Sequence, residues 1–269
     1  MKKLLLTGAG GNLGRSLRDR LNGWADQLVL SDINDLGEAR PGETLITCDL
    51  ADMKSVQSMV AGCDAIIHLG GVSTENTFDS IIDSNIRGTY NLFEAARKNG
   101  SPRILFASSN HVIGFHERET RLNASSKMRP DSLYGVSKGF GELLAQYYYD
   151  KFGLESASVR IGSCFERPED RRMLATWMSL DDFLALIDRI FSVDRLGCPL
   201  VYGASDNCES WWDNHEVSYL GWQPLDTADS FRDEPHLQVQ PTDPNDPTLR
   251  YQGGKFAAAG HFEDTQSED

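Results

Sequence analysis

The sequence predicts an α/β fold, a doubly wound parallel sheet carrying a small C-terminal lobe. Three observations lead there. Short apolar runs of β type alternate from the first residues with longer segments of helical period, the order that gives parallel strands joined by crossover helices. A glycine-rich turn, Thr7-Gly8-Ala9-Gly10-Gly11-Asn12-Leu13-Gly14, lies between the first run and the first helical segment. After residue 160 the regularity weakens, with Gly162, Pro168 and a charged run interrupting 161–180. The 269 residues are enough for one main domain with an appendage.

In chain order, strands are expected at 3–7, 27–31, 44–48, 64–69, 102–107, 154–160 and 199–203, and helices at 12–22, 52–60, 77–98, 132–152 and 181–193. The first strand is the leucine run ending at Thr7, and the first helix opens on the glycine turn. The segment 77–98 stops at Asn99-Gly100 before Pro102, a helix-ending pair followed by a residue that cannot extend a helix. A Trp-rich stretch follows at 211–222, and Trp211-Trp212 reads as packing for the small lobe. From Pro235 onward, Pro241, Pro244 and Pro247, many acids and a Gly-Gly pair predict an extended arm that wraps the body and frays at 264–269. The expected division is a dinucleotide-binding domain at 1–160, including the helix after residue 132, and an intertwined substrate-binding lobe and arm at 161–269.

Composition excludes several classes. A net charge of −14 without a basic run repels nucleic acid phosphates and anionic membranes. No stretch reaches the ~20 apolar residues of a membrane span, and MKKLLLTGAGG has no signal-peptide apolar region, so a cytoplasmic location is expected. Cys48, Cys63, Cys164, Cys198 and Cys208 are odd in number and form no C-x-x-C pair, which argues against a disulfide framework and a metal site.

The glycine turn points to a dinucleotide. Gly8, Gly11 and Gly14 suit a tight turn, a close backbone approach to pyrophosphate and close helix–strand packing, while the amino end of the helix at Asn12 and Leu13 stabilises phosphate charge. Asp32 follows Gly14 by 18 residues at the end of the second strand. A carboxylate there accepts from ribose hydroxyls and repels a 2′-phosphate, so a Rossmann-type site for NAD rather than NADP is expected. Asp49 and Leu50 after the third strand, and Leu69 and Gly70 after the fourth, should border the same ligand. Asp49 could equally cap the helix at 52–60, and His68 reads as a packed core histidine.

Tyr134-Gly135-Val136-Ser137-Lys138 puts a phenol and an ammonium on one helix face, about 5–6 Å apart at Cβ. A phenol ionises near pH ~10, and a fixed neighbouring cation together with a cationic nicotinamide would favour its ionised, basic form. Ser108-Ser109-Asn110-His111 closes the fifth strand, where a serine hydroxyl can bond the substrate oxygen during reaction. With Gly8, Gly11, Gly14, Ser109, Tyr134 and Lys138 together, the chain resembles the short-chain dehydrogenase/reductases of the extended type over about residues 1–165. Asn85-Ile86-Arg87-Gly88-Thr89 also looks like an element of that family, which implies a structural or relay role for Asn85 at the cofactor site.

Within that family, Ala107 to Gly114, Arg160-Ile-Gly-Ser-Cys164, Arg172 to Trp177 and Trp211-Trp-Asp-Asn214 are similar to the members that oxidise uronic acids. The resemblance implies NAD-dependent oxidation of galacturonate or glucuronate at the anomeric carbon to an aldarolactone, with Tyr134 as base, Lys138 orienting it and Ser109 on the anomeric hydroxyl. It implies ring-hydroxyl or carboxylate contacts for Ser73, Asn110, His111 and Ser163, and a carboxylate clamp for Arg172. A guanidinium matches a carboxylate with two parallel hydrogen bonds, although Glu166, Glu169 and Asp170 would also let Arg172 join a surface ion-pair cluster. Enzymes of this fold often associate through helices flanking the sheet, so a homo-oligomer is expected. Two other readings stand beside this one. A nucleotide-sugar epimerase or dehydratase is disfavoured by the 131 residues (269 − 138) after Lys138 and by Ile113 where such enzymes place a tyrosine. A non-catalytic NAD-binding regulator is disfavoured by the complete Ser109/Tyr134/Lys138 set.

Overall fold

The structure is a computed structural model that describes residues 1–265. Seven parallel strands, β1 (Lys3–Thr7), β2 (Gln27–Asp32), β3 (Glu43–Thr47), β4 (Ala65–His68), β5 (Arg103–Ser109), β6 (Ser156–Ile161) and β7 (Leu200–Gly203), form one sheet in the order β3-β2-β1-β4-β5-β6-β7. The chain builds outward from β1 to β3 and then crosses to β4, so the winding reverses between β1 and β4. Such a switch point leaves a crevice beyond the carboxyl ends of the two strands.

Both faces of the sheet are covered. Leu4 and Leu6 of β1 pack into one apolar cluster with Leu17, Phe183 and Ile187, whereas Leu5 packs into a second with Val56, Phe93 and Tyr148. Side chains alternate between faces along a strand, so the unbroken Leu4-Leu5-Leu6 run is what a strand covered on both sides requires. The covering helices include α1 (Asn12–Arg20), α2 (Met53–Val60), α5 (Leu133–Phe152) and α7 (Leu180–Ser192). Between β4 and β5 the expected helix at 77–98 is three pieces: α3 (Phe78–Ile81), a π-helical turn Ile82–Arg87, and α4 (Gly88–Lys98). Nothing in the residue pattern announces that wide turn. Within it Asn85 reaches out to the backbone of Val72, a tertiary contact.

Strand β5 runs two residues past its expected end, which makes Ser108 and Ser109 strand residues of fixed orientation. Beyond residue 160 the chain returns β7 and α7 to the main sheet and adds two small apolar clusters. Trp212 is a packing residue as expected, stacked on Tyr202 at 5.3 Å. The arm is less extended than the prolines suggest: it holds the short helices α8 (Pro247–Arg250), α9 (Lys255–Ala258) and α10 (Phe262–Thr265), with α6 (Met173–Thr176) earlier in the lobe. Of the stretch expected to fray, Asp264 and Thr265 lie in α10, and 266–269 lie outside the described residues. No helix among the described residues is long and apolar enough to cross a membrane.

Candidate active site

A cleft of about 790 Å³ opens at the carboxyl ends of the strands. At one end lies the glycine turn. Gly8 adopts φ +72, and a Cβ at Gly14 would stand 2.1 Å from the Gly8 carbonyl oxygen, so both positions exclude a side chain. Gly11 is the N-cap of α1 and offers no side-chain cap, which leaves the first amides of the helix, at Asn12 and Leu13 beside the cleft, without an intrahelical acceptor. The Asp32 carboxylate is oriented at the rim, one oxygen accepting from Gly10 N at 2.9 Å and the other from Asn34 N at 3.0 Å.

Asp49, Leu50, Leu69 and Gly70 line the same end. The cap of α2 is Asp52, whose side chain accepts from Lys54 N, so the capping alternative for Asp49 falls away. Asp49 itself accepts from Ala51 N at 2.9 Å. His68 is the expected core residue, bonded to Thr7 Oγ1 at 2.7 Å and held neutral by burial, which pushes it down to about 3. Asn85 has the structural role expected of it, away from the wall of the cleft. It clamps Val72 through both backbone groups and donates to Ser137 Oγ at 2.9 Å, tying the loop after β4 to α5.

The middle of the cleft holds Ser109, Tyr134 and Lys138. Two capping groups set the start of α5. Ser132 Oγ accepts from Gly135 N at 2.9 Å, and the two carboxylate oxygens of Glu75 accept from Leu133 N at 3.0 Å and Tyr134 N at 2.9 Å. One turn beyond Lys138, Glu142 is buried against Arg160 of β6, with Nε···Oε1 2.9 Å and Nη2···Oε2 2.7 Å, and also accepts from Ser108. Removing one partner of a buried pair of this kind costs about 3–5 kcal/mol. The pair fixes α5 over the sheet, so Ser108 is structural and Ser109 is free to bond the Tyr134 phenol.

Lys138 Nζ lies 5.6 Å from the centre of the Tyr134 ring and 5.2 Å from that of Phe106. Burial dominates both groups: it pushes the phenol up to about 12, against the Ser109 hydrogen bond, and the ammonium down to about 8. The sequence sets the ammonium together with a cationic nicotinamide behind the ionised phenol; in the protein by itself the burial of the ring dominates. Desolvation of the buried ring outweighs a cation at this distance.

The far end gathers Ser73, Asn110, His111, Ser163 and Arg172. Ser163 Oγ is paired with Thr176 Oγ1 at 2.9 Å. With its amide turned to satisfy both neighbours, Asn110 donates to Ile161 O and accepts from Arg172 Nη1, each at 3.2 Å. Arg172 Nη1 also donates to Gln252 O at 3.0 Å. Among the described residues Arg172 forms no ion pair with a carboxylate; the surface cluster takes Arg171 instead, paired with Glu209 at 2.9 Å.

Sequence reasoning missed Glu75, Asp131, Lys255 and Phe256. Asp131 Oδ2 lies 2.8 Å from His111 Nδ1, and the Phe256 ring stacks on His111 at 3.8 Å. Only the Gly253-Gly254 pair, which lets the arm turn in toward the cleft, carried a local signal.

Comparison with known proteins gives the same arrangement a context. The model of the NAD dependent epimerase/dehydratase family matches residues 4–179. The chain is 54% identical to a uronate dehydrogenase of Agrobacterium fabrum over 256 residues, 95% of this chain and 97% of that one. Among solved structures it resembles a glucuronic acid dehydrogenase from Chromohalobacter salexigens, with a TM-score of 0.96 and 53% identity, covering 98% and 99% of the two chains. It also resembles a tyrosine-to-alanine variant of the Agrobacterium tumefaciens uronate dehydrogenase complexed with NAD, with a TM-score of 0.95 and 53% identity over 97% and 99%.

Proposed function

The chain belongs to the NAD dependent epimerase/dehydratase family, and from that premise we propose that it is an NAD-dependent oxidoreductase that oxidises galacturonate or glucuronate at the anomeric carbon, giving an aldarolactone. The observation that carries the choice of substrate is Arg172, a guanidinium without a carboxylate partner in the same cleft as Ser109, Tyr134 and Lys138. A protein of net charge −14 needs such a local cation to hold an anionic sugar.

The residues present fit NAD. The glycine turn leaves no side chain between the cleft and the amide end of α1, and the Asp32 carboxylate stands at the ribose end where a 2′-phosphate would be repelled. NAD, when bound, supplies the hydride acceptor and a positive ring whose field favours the phenolate. Tyr134 then takes the proton of the anomeric hydroxyl, Ser109 holds that hydroxyl through its Oγ, and Lys138 adds positive charge beside the phenol. Arg172 fixes the sugar carboxylate with Asn110 alongside, and Ser73 and Ser163 face ring hydroxyls. Residues 161–269 thus form the substrate side of the cleft while also completing the sheet.

Association of like subunits is supported by an exposed apolar stripe, Val136, Leu143 and Tyr147 on α5 with Tyr90 on α4. The decisive experiment is an assay of the purified protein with NAD and a panel of sugars. NADH formation with galacturonate or glucuronate, and much less with the neutral aldoses, is the expected result; no turnover of either uronate would sink the reading.

A further inference from the structure

The pairing of His111 with Asp131 goes beyond a substrate contact. Asp131 is the last residue before the cap of α5, and its side chain is completely excluded from solvent. Two glycines from distant parts of the chain make room for it. A Cβ at Gly114 or at Gly253 would each stand 1.8 Å from Asp131 Oδ2. The other carboxylate oxygen accepts from Ser132 Oγ at 3.0 Å, and the Asp131 amide donates to the His111 carbonyl at 3.3 Å. The imidazole plane is fixed from the opposite side by Phe256, stacked at 3.8 Å, and its edge meets the Tyr134 ring with centroids 5.9 Å apart. Nε2 of His111 has no hydrogen-bond partner among the described residues, and the side chain lines the cleft.

Resting on the uronate reading above, we propose that Asp131 is a positioning residue for the sugar. By accepting the Nδ1 proton of His111 it holds the imidazole in the tautomer whose bare Nε2 faces the cleft and accepts a hydrogen bond from a ring hydroxyl.

The charges around the pair agree with a neutral imidazole. Burial pushes the ring below its usual range, opposed by Asp131 and Glu75 and assisted by Arg172. The carboxylate also raises the phenol of Tyr134. Asp131 is therefore coupled to the phenol as well as to the imidazole. A neutral ring that donates from Nδ1 has an acceptor at Nε2, which suits a hydroxyl and not the sugar carboxylate, and so divides the work between His111 and Arg172.

Nitrogen NMR of labelled histidine in the wild-type protein at neutral pH, together with uronate kinetics of Asp131→Asn, tests the proposal. The expected spectrum shows His111 protonated at Nδ1 and bare at Nε2. Asp131→Asn is expected to raise the uronate KM about tenfold, the factor carried by one hydrogen bond of ordinary net strength. It should leave the dissociation constant of NAD unchanged and move the rising limb of the kcat–pH profile to lower pH. A His111 ring bare at Nδ1 or doubly protonated, or a uronate KM unmoved by Asp131→Asn, would overturn it.

If Asp131→Asn does not fold, His111→Gln and His111→Leu decide. The glutamine oxygen can accept the same bond and should keep more uronate affinity than leucine, and equal losses would overturn the proposal. A wild-type protein that turns over no uronate fails the substrate reading, and the imidazole tautomer still decides this proposal separately.

Discussion

The two ends of the cleft are built in opposite ways. The cofactor end comes from one continuous stretch, Thr7 to Gly14, completed by residues at the ends of the next three strands: Asp32, Asp49 and Leu69. The end we assign to the sugar gathers Ser73, Ser109 to His111, Ser163, Arg172 and Phe256 from loops far apart in the chain. The first kind of site is fixed by backbone geometry, since strand, tight turn and helix amide end follow directly from glycines in sequence. The second depends on which loops the sheet order brings together, and on buried tethers such as Glu142–Arg160 and Asp131–His111 that hold them there.

The largest expected effect falls where the two ends meet. Tyr134→Phe keeps the ring, its packing against Phe256 and the start of α5, and removes only the proton acceptor. Loss of a positioned general base costs on the order of 10²–10⁴-fold, so kcat with uronate should drop by about 10³ while NAD affinity, measured by calorimetry, stays where it was. In the wild type, a phenol pushed up to about 12 by burial should make kcat rise with pH through the neutral range, and Lys138, lowered to about 8, gives up its charge as pH rises past that value. Lys138→Met should therefore lower kcat most below that pH, where the wild-type ammonium is charged and favours the phenolate. A flat pH profile in the wild type would remove Tyr134 from the proton transfer.

The contrast between the ends explains what could be read in advance. The seven strands, the glycine turn and the carboxylate of Asp32 beside it were legible because each has a local cause: an apolar run, closely spaced glycines, an acid at a strand end. Ser109, Tyr134 and Lys138 were legible as a spaced set. The π-helical turn at Ile82–Arg87 was not, and the bond of Asn85 within it to Val72 comes into view once the loop after β4 is placed. Glu75 looks like any loop acid until α5 is placed above it, and Phe256 looks like an arm residue until Gln252, buried and bonded to Trp212 Nε1 at 3.0 Å, anchors the arm in the body. Arg172 could be named by resemblance alone, and only the fold separates it from Arg171.

Arg172 gives the next largest effect and the sharpest test of the sugar end. Arg172→Ala removes the guanidinium that Asn110 and Gln252 hold in place. A charge-assisted bond contributes about 1.5–3 kcal/mol, so kcat/KM for uronates should fall by roughly 10- to 100-fold, with little change for the corresponding neutral aldose and none in NAD affinity. Equal losses for acid and neutral sugar would show that the guanidinium supports the arm and does not read the carboxylate.

The smallest effect is expected at the locally built end. Asp32 already accepts from Gly10 N and Asn34 N, so its carboxylate is pre-oriented by the turn and offers its remaining acceptor capacity to ribose hydroxyls. Asp32→Ala deletes that acceptor and the charge that repels a 2′-phosphate, while the amide end of α1 and the glycine turn stay intact. The KM for NAD should rise by about tenfold, one hydrogen bond to a charged group with solvent competing at the rim, and activity with NADP should gain relative to NAD. The KM for uronate should not move, since no residue of the sugar end touches Asp32. If the uronate KM moved with that of NAD, the two ends would be coupled, and the division between a backbone-built and a side-chain-built half of the cleft would fail.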